Sequence, residues 1–220
     1  MRCKVSKVPD DLPIRVLVVD DHAVLREGVA ALLARDPGID VVGEAENGAE
    51  GIELWRQLWP DVTLMDLQMP GLNGVDAITA ICREFPFAKI IVFSTYGGDV
   101  QALRALKAGA VGYLLKSALR RELADAIRAV HAGKRYILPE VASEIAFHAV
   151  GESLTKREVD ILRLIAAGNG NKQVAFELNI SEDTVKSYLK SVFAKLDVTD
   201  RTAAVVVALK RGIIDLPPGS

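Results

Sequence analysis

The sequence predicts an α/β domain built on a parallel sheet, followed by a separate all-α domain of four helices containing a helix-turn-helix. Three observations carry that expectation. Residues 14–131 alternate short β-branched runs with stretches of helical apolar spacing. The alternation fades near Gly133, and beyond Ser153 every apolar pattern is helical. The two parts also differ in charge: 14–131 hold 12 basic against 16 acidic side chains, a net of −4, whereas 151–220 hold 10 against 9, a net of +1. These shifts divide the 220 residues into a tail (1–13), a first domain (14–132), a linker (133–152), a second domain (153–216) and a closing tail (217–220).

Five apolar runs mark the strands: IRVLVV (14–19), IDVVGEA (39–45), DVTLMD (61–66), AKIIVFS (88–94) and VGYLL (111–115). Three of them are almost continuously aliphatic, as strands covered on both faces require. Between and after them, helical spacing recurs at Val24, Val29, Leu32 and Leu33, at Ile52, Trp55 and Leu58, at Ala77, Ile78 and Ile81, at Leu103 and Leu106, and at Leu123, Ile127 and Val130. Right-handed βαβ units of five strands and five helices follow.

In the connector, Pro139 can open a short helix, PEVASEIAFHAV, because a first helical position needs no N–H. Four further helices are expected at 155–167, 171–178, 181–196 and 199–210. Thr155 and Glu158 have the spacing of a capping box, Asn179 ends the second helix, and Ser181 with Asp183 opens the third. A short helix, a tight turn and a longer helix form a helix-turn-helix. On the longer helix Val185, Leu189, Val192 and Leu196 face the core, while Lys186 and Lys190, four apart, share the opposite surface.

Composition excludes several classes. No apolar run reaches the ~18 residues of a membrane span, and the basic start MRCKVSKVPDDLP has no apolar segment of a secretory signal. Cys3 and Cys82 are too few for a disulfide framework or a zinc site, so a reducing cytoplasm is the expected compartment. A net charge of −2 means that any surface for nucleic acid must be concentrated on one face.

In an open α/β sheet, ligands gather beyond the C-terminal ends of the strands. There the sequence places Asp20 and Asp21 after the first strand, Asp66 after the third, Ser94 after the fourth and Lys116 after the fifth. One aspartate at a strand end is ordinarily a turn former, and one lysine is ordinarily solvated. Five such residues at the ends of four strands point elsewhere. Three converging carboxylates call for a hard divalent cation, best Mg²⁺, and a carboxylate nucleophile beside an ammonium suits a transferred phosphoryl group.

VLVVDDH (16–22), MDLQMPGLNG (65–74), VFS (92–94) and GYLLKS (112–117) resemble the signature of response-regulator receiver domains, which are flavodoxin-like. The resemblance implies that Asp66 accepts a phosphoryl group from a sensor histidine kinase. It implies that Asp21, Asp66 and the Gln68 carbonyl hold Mg²⁺, with Asp20 assisting through water. Ser94 and Lys116 would bind the phosphoryl oxygens, and Tyr113 matches an aromatic that turns inward on activation. Pro70 and Gly74 fit the tight loop after the acceptor. Thr95 is a departure, since the position after the switch hydroxyl is typically small.

The stretch 154–214, with LTKRE, NKQVA, ISEDTVKSYL, KLDVTDRT and ALKRG, is similar to the DNA-binding domain of the NarL/FixJ, or LuxR-type, family. By that resemblance Lys186, Ser187 and Lys190 would face base edges, and Lys172, Thr184 and Lys195 would sit near phosphates. Val206 and Leu209 lie on the helix that commonly pairs two such domains. Gly170, Asn169 and Tyr188 depart from the usual capping, aliphatic and histidine residues. Together the resemblances imply a two-component response regulator acting on double-stranded promoter DNA as a dimer, with RNA polymerase a further partner and no membrane. Its only catalysis would be its own phosphoryl transfer and dephosphorylation. Two alternatives remain at this point. In one the receiver is an interaction module that works without phosphorylation; intact Asp21, Asp66, Ser94 and Lys116 weigh against it. The other is an aspartyl-phosphate phosphatase, which lacks the second acid where Gln68 stands.

Overall fold

The aliphatic runs become the strands of one parallel sheet in a computed structural model, which describes residues 12–95, 98–148 and 153–214. β1 (Ile14–Val19), β2 (Ile39–Ala45), β3 (Val62–Met65), β4 (Ile90–Ser94) and β5 (Gly112–Leu115) lie in the order β2-β1-β3-β4-β5. Every residue of β3 and β4 is buried, as their mostly apolar character suits, with Thr63 and Ser94 the polar members. α1 (Ala23–Leu33), α2 (Gly48–Leu58), α3 (Gly74–Glu84), α4 (Asp99–Ala108) and α5 (Leu119–His131) alternate with them. Asn47 and Asn73 cap α2 and α3 by accepting the Glu50 and Asp76 amides.

A sixth strand, β6 (Tyr136–Ile137), pairs parallel to β5 at the sheet edge, inside the stretch expected to be linker. Two residues carry no alternation to detect. What holds them is backbone bonding, Tyr136 N–H to the Val111 carbonyl at 3.1 Å and Leu138 N–H to the Tyr113 carbonyl at 3.4 Å.

The chain divides into two compact units, one drawn from residues 1–95 and 104–138, the other from 96–103 and 139–220. The second contains α6 (Pro139–His148), which begins at the proline, then α7 (Lys156–Ala166), α8 (Asn171–Leu178), α9 (Glu182–Leu196) and α10 (Arg201–Lys210). The capping box of Thr155 and Glu158 is formed at α7, and Ser181 caps α9 through the Thr184 amide. Gly170 caps α8 without a side-chain bond, as its missing hydroxyl foretells. Ile161, Ile165, Val174, Val185 and Leu189 form one buried cluster, and Leu162, Val192, Leu196, Ala204 and Ala208 another. All four core positions expected on α9 are therefore buried. Cys3, most of the expected tails and linker residues 149–152 lie outside the described residues.

Candidate functional site

β1 lies between β2 and β3, so the connections leaving β1 and β3 run to opposite sides and open a crevice at their C-terminal ends. Asp20 and Asp21 follow β1, and Asp66 follows β3. Ser94 closes β4, and Lys116 starts a short 3-10 turn after β5 (Lys116–Ala118). The structure brings Asp20, Asp21, Asp66 and Lys116 together, and Ser94 ends the strand between those of Asp66 and Lys116. The Lys116 ammonium lies 2.7 Å from Asp20 Oδ2 and 2.9 Å from Asp66 Oδ2. Asp20 is 1% exposed and Asp66 3%.

Burial raises the Asp66 carboxyl above its ordinary value, aided by the Asp20 charge, while Lys116 and the Gln68 backbone N–H oppose the rise. Burial pulls the Lys116 ammonium down, but its two carboxylate partners outweigh that and hold it above its ordinary value. The Leu67 amide donates to Asp66 Oδ1 at 2.7 Å. Gly74 lets the loop after Asp66 close: its N–H bonds the Leu67 carbonyl at 3.1 Å, and a Cβ there would lie 1.9 Å from the Asp66 carbonyl oxygen. Gln68 presents an exposed side chain.

Asp20 Oδ2 is buried against the Lys116 ammonium at 2.7 Å, and Asp21 Oδ1 is buried with His22 Nδ1 2.7 Å away. Asp20, Asp21, His22 and Asp66 offer ligand atoms within 4.8 Å of one another, an acidic donor set that fits a divalent cation. His22 was not among the expected site residues. Its place directly after the aspartate pair was the available signal.

Tyr113 is fully buried, its ring turned inward with the hydroxyl bonded to Ser94. Burial pushes that hydroxyl up to about 12 against the Ser94 bond, with the Asp66 charge adding to the rise. Thr95 is exposed beside it.

In the second unit Lys172, Lys186, Ser187 and Lys190 are exposed. Lys186 pairs with Asp183 at 2.9 Å, the Ser187 hydroxyl donates to the Asp183 carbonyl at 2.9 Å, and Thr184 is tied to the Ser181 cap. Lys195 departs from expectation. Only 16% of its side chain is exposed, and its ammonium contacts Glu158 at 2.9 Å, so it straps α9 to α7 and does not stand ready for phosphate. Glu158, itself 2% exposed, also accepts from the Thr155 amide and hydroxyl and from the Ser191 hydroxyl at 2.7 Å. Val206 is exposed on α10, whereas Leu209 packs against its own domain's core.

Residues 16–128 match the response regulator receiver domain, and residues 152–208 match the luxR family of bacterial regulatory proteins. The chain is 43% identical to the transcriptional regulatory protein LiaR of Bacillus subtilis, over 92% of this chain and all of that protein. It is 37% identical to the response regulator GacA of Pseudomonas aeruginosa, over 92% of this chain and 98% of the relative. Among solved structures it resembles two RcsB dimers bound to two parallel DNAs, at 28% identity and a TM-score of 0.68, covering 90% of this chain and 98% of that one.

Proposed function

The chain belongs to the response regulators that join a receiver domain to a luxR-family DNA-binding domain, and from that membership we propose that Asp66 is its phosphoacceptor and α9 its promoter-reading helix. The observation that carries the first assignment is the buried Asp66 carboxylate, bridged to Asp20 by Lys116 at the β1–β3 crevice. An Asp66 oxygen attacks the phosphorus of a kinase phosphohistidine. A P–O bond forms, the P–N bond breaks, and the imidazole leaves with the electron pair. Lys116 and the Ser94 hydroxyl would bind the equatorial oxygens, and the Leu67 and Gln68 amides, which bond Asp66, would add donors. Asp20, Asp21, Asp66 and the Gln68 carbonyl would hold Mg²⁺, which supplies charge neutralisation for the transferred group. Tyr113, bonded to Ser94, is the relay from that event to the surface.

In the second domain, Lys186, Ser187 and Lys190 are assigned to base edges, and Lys172 and Thr184 to phosphates. Lys195 is withdrawn from that set. Receiver and DNA-binding domain are assigned to 14–132 and 153–216, and 133–152 to the connection between them, whose first part adds β6 to the receiver's sheet. Val206 and Leu209 are assigned to a homodimer contact; a sensor histidine kinase, promoter DNA and RNA polymerase are the other partners. No helix among the described residues is long and apolar enough to cross a membrane, and a cytoplasmic site of action follows from the DNA target.

Acetyl phosphate and Mg²⁺ should label the wild-type chain once, and Asp66→Asn should abolish the label. Full labelling of Asp66→Asn would overturn the acceptor assignment.

A further inference from the structure

The three acidic residues of the crevice are not held alike. Asp66 is fixed by the Leu67 amide and Lys116. Asp20 is fixed at its amide by the Ala45 carbonyl at 3.0 Å, and at its carboxylate by the His22 amide and Lys116. Asp21 is the least tethered: 28% of its side chain is exposed, and its carboxylate is paired with the exposed His22.

One cation approaches this loop from behind. Arg26, one turn into α1, donates Nη1 to the Asp20 backbone carbonyl at 2.6 Å, and its Nε lies 3.6 Å from Glu44 on β2. Its side chain is only 16% exposed. The carbonyl it grips belongs to the peptide joining Asp20 to Asp21. Fixing that carbonyl fixes the peptide plane and with it the Asp21 N–Cα bond, so that the Asp21 side chain swings only about its own φ and χ angles from an anchored base.

We infer that Arg26 is a positioning residue of the cation site: through the Asp20 carbonyl it holds the Asp20–Asp21 peptide so that Asp21 faces the crevice, with Glu44 steadying the guanidinium. The inference rests on the proposed cation site. Charge and position make opposite predictions here. A guanidinium acting only as a nearby positive charge would repel a divalent cation, so its removal would tighten binding. A guanidinium acting as a brace would weaken binding when lost, by roughly 10-fold or more, the usual range for groups that orient metal ligands.

The test is a Mg²⁺ titration of the full-length chain followed by amide NMR shifts, for wild type, Arg26→Gln, Arg26→Lys and Asp21→Asn. Thermal unfolding of each confirms that it is folded. Arg26→Lys serves also if Arg26→Gln does not fold, because it keeps the charge and loses the planar donor. The expected order of affinity is wild type, then Arg26→Lys, then Arg26→Gln. In acetyl phosphate labelling, Arg26→Gln should need more Mg²⁺ for half-maximal rate but reach a near-normal rate at saturation. Wild-type or tighter affinity in both Arg26 variants would overturn the inference. Absent Mg²⁺ binding by wild type, or unchanged binding in Asp21→Asn, would instead overturn the cation site itself.

Discussion

Asp66 is under two opposed demands. Its proposed chemistry needs an ionised carboxylate, and burial disfavours one, raising its pKa in the folded chain. A carboxyl whose folded pKa is raised contributes stability that is full below its unfolded value and lost as pH rises through the folded value. At neutral pH the ionised Asp66 therefore strains the fold, with Lys116 offsetting part of the penalty. Asp66→Asn should unfold at a higher temperature than wild type at pH 7 without Mg²⁺, by about 1–2 kcal/mol, since Asp20 keeps Lys116 paired. Added Mg²⁺ should raise the wild-type midpoint more than that of Asp66→Asn. A lower midpoint for Asp66→Asn would refute the strain. The acidic residues and Lys116 were legible in the sequence because each follows a strand whose end is itself legible. Arg26 was not. Its contact is with a backbone carbonyl, and no spacing marks which carbonyl a long side chain reaches.

Between elements, the clearest example of a hidden partner is Glu158. Its spacing from Thr155 announced a capping box, which the structure contains, but not the Ser191 and Lys195 groups that reach it from α9. Lys195 carries a lesson about periodicity. It lies nine residues beyond Lys186, which at 3.6 residues per turn is two and a half turns, the opposite face of α9. Counting turns would have separated it from the exposed lysines; naming Glu158 as its partner needed the fold. Burial pulls the Glu158 carboxyl up, yet bonds from Ser191, the Thr155 amide and Lys195 prevail and hold it at about 2. A depressed carboxyl contributes stability above its unfolded value near 4.5 that is lost as pH falls towards 2. That contribution is on the order of 2–4 kcal/mol, taken from the shift at ~1.4 kcal/mol per unit. Glu158→Gln should lose stability of that order at pH 7, and acid unfolding of α7 and α9 between pH 4.5 and 2 should flatten. Circular dichroism across that range checks both; an unchanged profile would mean that the strap between α7 and α9 carries little stability. β6 shows the complementary limit, because a two-residue strand is specified by its neighbour's open edge and not by its own side chains.

At the scale of the whole chain, the second domain has little charge with which to hold DNA. Residues 151–220 carry a net of +1, Lys186 is paired with Asp183, and Lys195 is committed to Glu158. A single copy offers a small set of phosphate contacts, and nonspecific affinity scales with that number. Specific binding should therefore depend on two copies meeting paired half-sites, where the second contact becomes effectively intramolecular and avidity rises by roughly 10²–10⁴. Phosphorylation need only shift a monomer–dimer balance to control this, through the Ser94–Tyr113 pair at the end of the sheet. The full-length chain should sediment as a dimer and bind promoter DNA tightly only after treatment with acetyl phosphate and Mg²⁺. Val206, exposed on α10, is the expected contact between copies, so Val206→Asp should remove most of that gain and leave weak, salt-sensitive binding intact. Asp66→Asn should behave as the untreated wild type in both assays. If untreated wild type already matches the phosphorylated chain in sedimentation and DNA affinity, control by phosphorylation fails, and the receiver is an interaction module that works without it. If only Val206→Asp is indifferent, phosphorylation control stands and the copies meet through another surface, because the loss tied to α10 is separate from the gain tied to Asp66.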